Sequence, residues 1–327
     1  VTTRKEFKQR NRKKRRKRKA FIAVFLLFLI IGIGISSYEY MAGKRDAMGE
    51  TEGELENNEF KHEFQGVDNK DGKTTVLMLG VDKRSNKETM RTDTIMIAQY
   101  DPEENEAKLA SLMRDTYVDI PGYGYNKLNA AFAFGGPELL RQTIKKNFGI
   151  ETEYYSIVDF DGFKQIVDTV APEGIEVDVE KKMYHKDNTG TINLEPGTQK
   201  LNGEELLGYA RYRGDASSDF GRVKRQQEVI QLMKDKLVSA KGLLKVPRLI
   251  GTIQPYVDTN IDSGKMVGLA KDFIFNAPDN IETLRIPVEG SYWNERYSHA
   301  GAVLAHDEQK NREALQKFFE VEDSSKE

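Results

Sequence analysis

The segment TTVLMLGVDKRSNKETMRTDTIMIAQYDPEENEAKLASLMRDT, residues 74–116, decides the fold. Thr75–Leu79 is a β-branched and apolar run that ends in Gly80-Val81-Asp82, as a buried strand entering a loop does. Thr94–Tyr100 and Ala107–Met113 repeat the signal, and Asp101-Pro102-Glu103-Glu104-Asn105 between them has the composition of a hairpin turn.

Downstream the period changes. Leu140, Ile144 and Phe148 fall at helical spacing within Pro137–Phe148, with Gly149 as the stop. Strand-like Tyr154–Val158, helix-like Gly162–Val170 and strand-like Ile175–Val179 follow. Helices then dominate, at Gly203–Tyr212, Asp219–Ser239, a weaker Leu243–Ile253 and Ser263–Phe275, before a strand at Ile281–Pro287 and a closing helix at Asp307–Phe319. This alternation predicts an α/β domain with helices on both faces of a largely buried sheet.

Upstream the character is different. Residues 1–19 carry twelve Lys/Arg against Glu6 alone, which leaves the remaining chain with 38 basic and 51 acidic side chains. The sixteen residues Ala20–Ile35 have no charge and no polar side chain, and Ser36–Tyr40 can extend them into a membrane interface. A cleaved signal peptide has a shorter apolar core, and no convincing small-x-small site follows Ile35. The expectation is a cytoplasmic basic tail (1–19), a single-pass transmembrane signal anchor (20–40), a polar extracytoplasmic linker (41–73) and a catalytic domain (74–327) on the outer face of the cell membrane. The tail sits against anionic membrane lipids, so a nucleic-acid role is not expected.

Composition narrows the chemistry. The chain has no cysteine, and its four histidines are scattered without zinc spacing, so carboxylates and arginines must carry any reaction. There is no GxxxxGK[ST] loop and no GxGxxG between strand and helix, so nucleotide use has no support.

Three clusters remain. Gly80-Val81-Asp82-Lys83-Arg84 and Arg91-Thr92-Asp93 put two acids on neighbouring loops, where they can share a hard cation or simply cap turns. Met113-Arg114-Asp115-Thr116 ends a strand and is weak alone. The third cluster joins Arg211-Tyr212-Arg213 to Asp219-Phe220-Gly221-Arg222-Val223-Lys224-Arg225-Gln226-Gln227. Arg222, Arg225 and Gln226 can share one face of the first turns of a helix capped by Ser218 or Asp219. A helix N-terminus attracts anions, and guanidinium forks beside it suit phosphate or pyrophosphate. The bland reading is a solvated basic face, but the domain around it is acidic.

These clusters, in this order behind one N-terminal anchor, resemble the LytR-CpsA-Psr family. The segments that carry the resemblance are Leu79–Asp82, Arg91–Met96, Arg114–Thr116, Lys127-Leu128-Asn129-Ala130-Ala131 and Arg211–Gln227. The resemblance implies an α/β/α sandwich around a mixed central sheet, preceded by one N-terminal transmembrane helix, with an apolar pocket for a polyprenyl chain. It implies transfer of teichoic acid or another secondary wall polymer from an undecaprenyl pyrophosphate-linked donor to a peptidoglycan acceptor. On that resemblance Arg84, Arg114, Arg211, Arg213, Arg222, Arg225 and Gln226 bind the pyrophosphate, and Asp82 and Asp93 hold Mg2+ (or Mn2+). Asp93 is either that second ligand or the general base for the acceptor sugar hydroxyl and, with Arg114, a candidate catalytic residue. Two other readings use the same arginines: a non-catalytic polyprenyl (pyro)phosphate-binding regulator, and a lipid pyrophosphatase in which water replaces the sugar hydroxyl.

Overall fold

A computed structural model describes residues 38, 40–42, 60, 63–68, 71–82, 91–187, 190–214, 218–238 and 246–321. The expected tail, the core of the expected anchor and most of the expected linker lie outside these residues. Among the described residues no helix is long and apolar enough to cross a membrane.

The strands predicted in residues 74–116 form, as β1 (Thr74–Asp82), β2 (Arg91–Asp101) and β3 (Glu106–Leu112). Asp101 Oδ1 accepts the backbone N–H groups of Glu103 and Glu104, and Asn105 takes a left-handed conformation, which closes the turn between β2 and β3. A hairpin of β4 (Tyr117–Ile120) and β5 (Gly124–Lys127) follows. Next come β6 (Tyr154–Asp159), β7 (Ile175–Val179), β8 (Met183–Asp187), β9 (Gly190–Leu194) and β10 (Gly197–Leu201). The last strands are β11 (Val257–Thr259), β12 (Ile281–Ile286), β13 (Tyr292–Tyr297) and β14 (Gly301–His306). The central sheet has six strands in the order β11-β6-β1-β2-β3-β12. It is mixed: β1 pairs antiparallel with β2 and parallel with β6, and β12 runs parallel to β3.

The helices are α1 (Leu128–Phe148), α2 (Phe160–Val170), α3 (Gly203–Arg211), α4 (Ser218–Val238), α5 (Val246–Ile253), α6 (Ser263–Phe275) and α7 (Glu308–Phe319). The predicted start at Pro137 is the second half of α1. Gly135 and Gly136 break the helical path just before it, and Gly136, at φ 60 and ψ −159, has a conformation open essentially to glycine alone. Pro137 then restarts the helix where a missing N–H costs nothing. Gly149 ends it in the left-handed region, as expected.

Alternation along the strands sorts the two faces of the sheet. Leu77, Leu79, Val81, Ile95, Ile97, Ala110 and Leu112 pack with Leu140, Ile144 and Phe148 of α1 and Leu315 and Phe319 of α7 in the main core. Val76, Met78, Ala98 and Tyr100 face the other way, toward α4 and α6. Helices thus cover both faces, as predicted. A second core holds Val167, Val177, Leu201, Leu206 and Val229 where α2, α3 and α4 meet the β7–β10 pair. The start of β1 and the end of α7 are tied together: Lys73 and the buried Lys108 Nζ both reach the Glu320 carboxylate, at 2.9 and 2.6 Å.

Candidate functional site

The C-terminal ends of β1, β3 and β6 and the N-terminal end of β2 meet at one edge of the central sheet. A register shift there sets the position of Asp93. Gly80 opposes Thr94 while Val81 opposes Thr92, so Asp93 is the extra residue of a β-bulge, turned out of the regular ladder. The Thr92 hydroxyl lies 3.1 Å from Gly80 O and 2.8 Å from Thr94 O, next to the carbonyls that the interrupted ladder exposes.

Arg114 and Asp115 sit on a turn held from three sides. Met113 N donates to Ile286 O, Asn129 N to Arg114 O and Leu304 N to Asp115 O. The Thr116 hydroxyl donates back to Met113 O at 2.6 Å. So fixed, Arg114 pairs through Nη1 with Asp93 and through Nε with Asp115, the latter at 3.2 Å. Lys127, at the end of β5, reaches Asp115 at 2.7 Å.

The first turns of α4 close the other side. Gln226 donates to Thr94 Oγ1 and Gln227 to Ser111 Oγ, each at 3.0 Å, which seats the helix on the α4 face of the sheet. Asp219 then stands between Arg213 Nε and Arg222 Nη1, 3.4 Å from each, and Arg213 Nη2 lies 3.7 Å from Asp93. Arg222 is 3% exposed. Its Nε and Nη1 have no hydrogen-bond acceptor among the described residues. A buried cation in that condition is costly unless an anion completes it.

The charges do not balance. Arg114, Lys127, Arg213 and Arg222 face Asp93, Asp115 and Asp219, four cations to three carboxylates among the described residues. Burial and the neighbouring Arg114 push the Arg213 pKa down, against the pull of Asp219 and Asp93. Burial also opposes the charge of Arg114, but Asp93 and Asp115 outweigh it and raise its pKa. A further anion between Arg213 and Arg222 relieves both the repulsion and the unmet donors.

The remaining predicted residues fall into two groups. Arg225 is buried and donates to the backbone carbonyls of Tyr209 and Tyr212, where it caps the end of α3. Arg211 lays its guanidinium over the Phe160 ring, 4.3 Å from the centroid, on the β6 side of the same edge. Asp82 ends β1 opposite Arg91. Its side chain, like Arg84, lies outside the described residues. Asp115, Lys127 and the bridging role of Asp219 were not among the expected site residues. Only tertiary packing brings Lys127 to Asp115, since one ends a strand, the other sits on a turn, and no spacing signal links them.

An apolar cavity of about 320 Å3 opens on the α4 face. Val76, Met78 and Tyr100 of the sheet and Leu269 and Phe273 of α6 line it. Thr94, which faces Gln226, lies two residues farther along the same strand face than Met96, the partner of Met78. A long apolar ligand with an anionic head can thus span cavity and arginines on one face.

Comparison with known proteins bears on this arrangement. Residues 37–316 match the LytR_cpsA_psr family. The regulatory protein MsrR of Staphylococcus aureus is 42% identical over 259 residues, covering 79% of this chain and 78% of MsrR. The polyisoprenyl-teichoic acid–peptidoglycan teichoic acid transferase TagU of Bacillus cereus is 32% identical over 266 residues, 80% of this chain and 84% of TagU. Among solved structures, TagV of B. subtilis superposes with a TM-score of 0.65 at 28% identity, over 78% of this chain and all of TagV. TagT bound to LI-WTA gives 0.62 at 26% identity, over 79% and 93% of the two chains.

Proposed function

The chain belongs to the LytR-CpsA-Psr family, and from that premise we propose that it transfers a phosphate-linked wall polymer from a polyprenyl pyrophosphate carrier to peptidoglycan at the outer face of the membrane. The observation that carries this reading is Arg222, buried at the start of α4 with two donor nitrogens lacking acceptors among the described residues, across Asp219 from Arg213 and on the face that holds the apolar cavity. The apolar run Ala20–Ile35 behind a basic tail supports a single-pass anchor that holds the domain outside.

In the proposed step the acceptor hydroxyl oxygen bonds to the phosphorus that bears the polymer. The bond from that phosphorus to the bridging oxygen breaks, and polyprenyl phosphate leaves with the electron pair. Asp93 takes the hydroxyl proton. Arg114 holds Asp93, and Arg213 and Arg222 offset the charge that develops on the leaving phosphate. Asp82 and Asp93 are an oxygen donor set suited to Mg2+, which takes one or two carboxylates and fills its shell with phosphate and water. Held there, Mg2+ would supply charge neutralisation on the phosphates.

MsrR is named a regulatory protein, which favours a second reading in which the same lipid is bound and not turned over. The two separate with the full chain in detergent, a labelled polyprenyl pyrophosphate-linked glycan, peptidoglycan and Mg2+. Label attached to peptidoglycan by the wild type and lost in Asp93→Ala, with lipid binding retained, supports transfer. Tight lipid binding with no attached label across donor and acceptor variants supports regulation, and release of free glycan phosphate indicates hydrolysis.

A further inference from the structure

Outside the arginine cluster, exposed aromatic rings concentrate on the β4–β5 and β13–β14 hairpins. Tyr117 stacks on Tyr297 with centroids 4.6 Å apart and planes 11° apart, and Tyr125 lies 5.4 Å from Tyr117 on the diagonal of its own hairpin. Trp293 and Tyr297 share one face of β13, and Glu295 between them accepts from both Trp293 Nε1 and the Tyr297 hydroxyl. Glu308 accepts from the Tyr125 hydroxyl at 3.1 Å. Trp293 is 50% and Tyr125 43% exposed, so rings with polar edges are offered to solvent rather than buried in the core.

The platform joins the reaction site directly. Lys127 shares its strand with Tyr125 and pairs with Asp115, which is beside Arg114. Leu304 of β14 receives Thr116 in a bridge and donates to Asp115 O. Val118 and Ile120 bury the back of the β4–β5 hairpin in the core on the α1 face, opposite the apolar cavity. Donor cavity and aromatic platform therefore lie on opposite sides of the sheet, and the platform is linked to Asp93 through Lys127, Asp115 and Arg114.

We infer that this platform binds the glycan strand of the acceptor. Pyranose rings present C–H groups to the electron-rich face of an aromatic ring, and their hydroxyls need carboxylate or phenol partners at its rim. Tyr117, Tyr297, Trp293, Glu295 and Glu308 supply both. A polyol-phosphate chain lacks such ring faces and would meet two carboxylates. The inference rests on the transferase reading for its link to chemistry, but its binding test does not.

Trp293 is the sole tryptophan of the chain, so its emission reports on the platform. Full-length protein in detergent is titrated with a lipid-free N-acetylglucosamine–N-acetylmuramic acid oligomer, and separately with polymer released from its carrier. A saturable change in emission with the glycan is expected, weakened roughly tenfold in Tyr125→Ser and in Tyr297→Ala. Polyprenyl pyrophosphate binding stays at the wild-type level in both variants, which also shows that they are folded. No response to glycan, a response to the released polymer instead, or equal glycan affinity in the variants overturns the inference. Transfer by wild type with an unchanged acceptor KM in the variants removes the platform and keeps the transferase; glycan binding without any transfer does the reverse.

Discussion

Arg222→Met separates anion binding from folding. Arg222 is 3% exposed, and its Nε and Nη1 find no acceptor among the described residues. Each unmet buried donor costs about 1–3 kcal/mol. The pair with the half-buried Asp219, at 3.4 Å, returns about 0–1 kcal/mol. Methionine fills similar space without a charge, so the variant is expected to be more stable by about 2 kcal/mol. For a domain of roughly 250 residues that raises Tm by about 4–8 °C. Two charge-assisted hydrogen bonds to the ligand are lost at about 1.5–3 kcal/mol each, so polyprenyl pyrophosphate affinity falls at least ~100-fold. Differential scanning fluorimetry and binding of a labelled lipid, on the same preparation, read both quantities. Arg225→Met is the control: its donors are already met by Tyr209 O and Tyr212 O, so that variant must lose stability. An Arg222→Met protein that melts lower than wild type while binding lipid as well would refute the reasoning.

Three further outcomes are expected. Asp93→Asn keeps the volume at the bulge but removes the proton acceptor, so transfer falls by at least ~100-fold while lipid affinity changes less than ~3-fold, as single-turnover and binding assays should show. The Glu320 carboxyl is held down to about 2, first by the hydrogen bond from Lys108 and then by that from Lys73. Its contribution is therefore complete above the unfolded value of 4.5 and lost as pH falls from there through about 2. Glu320→Gln should cost about 1 kcal/mol in urea unfolding at pH 7, and the gap to wild type should shrink progressively below pH 4.5. In Gly136→Ala a Cβ would stand 2.9 Å from the Phe60 ring in a backbone region closed to alanine, and circular-dichroism melts should show a loss of about 1–3 kcal/mol.

The strands and helices of the central sandwich were legible because their burial is one-sided or complete. Thr75–Leu79, Ile175–Val179 and Pro137–Phe148 carry their period in the residues themselves. The hairpins β4–β5, β8–β9 and β13–β14 were not read, because Tyr, Lys, Asn and Glu on them pack only against other parts of the chain. Leu128–Phe134 was missed for another reason: Gly135-Gly136-Pro137 reads as a boundary, and the helix resumes beyond it. In the site, the motifs marked Arg114, Asp93, Arg222 and Gln226 but not their partners: Arg114 pairs with Asp93, Arg222 stands by Asp219 and Gln226 donates to Thr94. Helical spacing and the family resemblance both marked Arg225, and its bonds to the carbonyls at the end of α3 could not be read from either. The turn of Asp93 away from its ladder comes from a register shift that pairs of strands create together and neither encodes by itself.

Glu320, which takes Lys73 and Lys108 together, has a topological consequence. The residue before the first strand and the residue after the last helix are in contact, so the folded domain is a nearly closed ring of chain. Because Phe64 packs in the main core, a circular permutant has to keep residues 63–72, with its linker running from 321 to the chain ahead of Phe64. In the native order, the chain at 73 and the segment leaving at 321 lie side by side. A tag carried beyond 321 will therefore report on the Lys73 end of the domain.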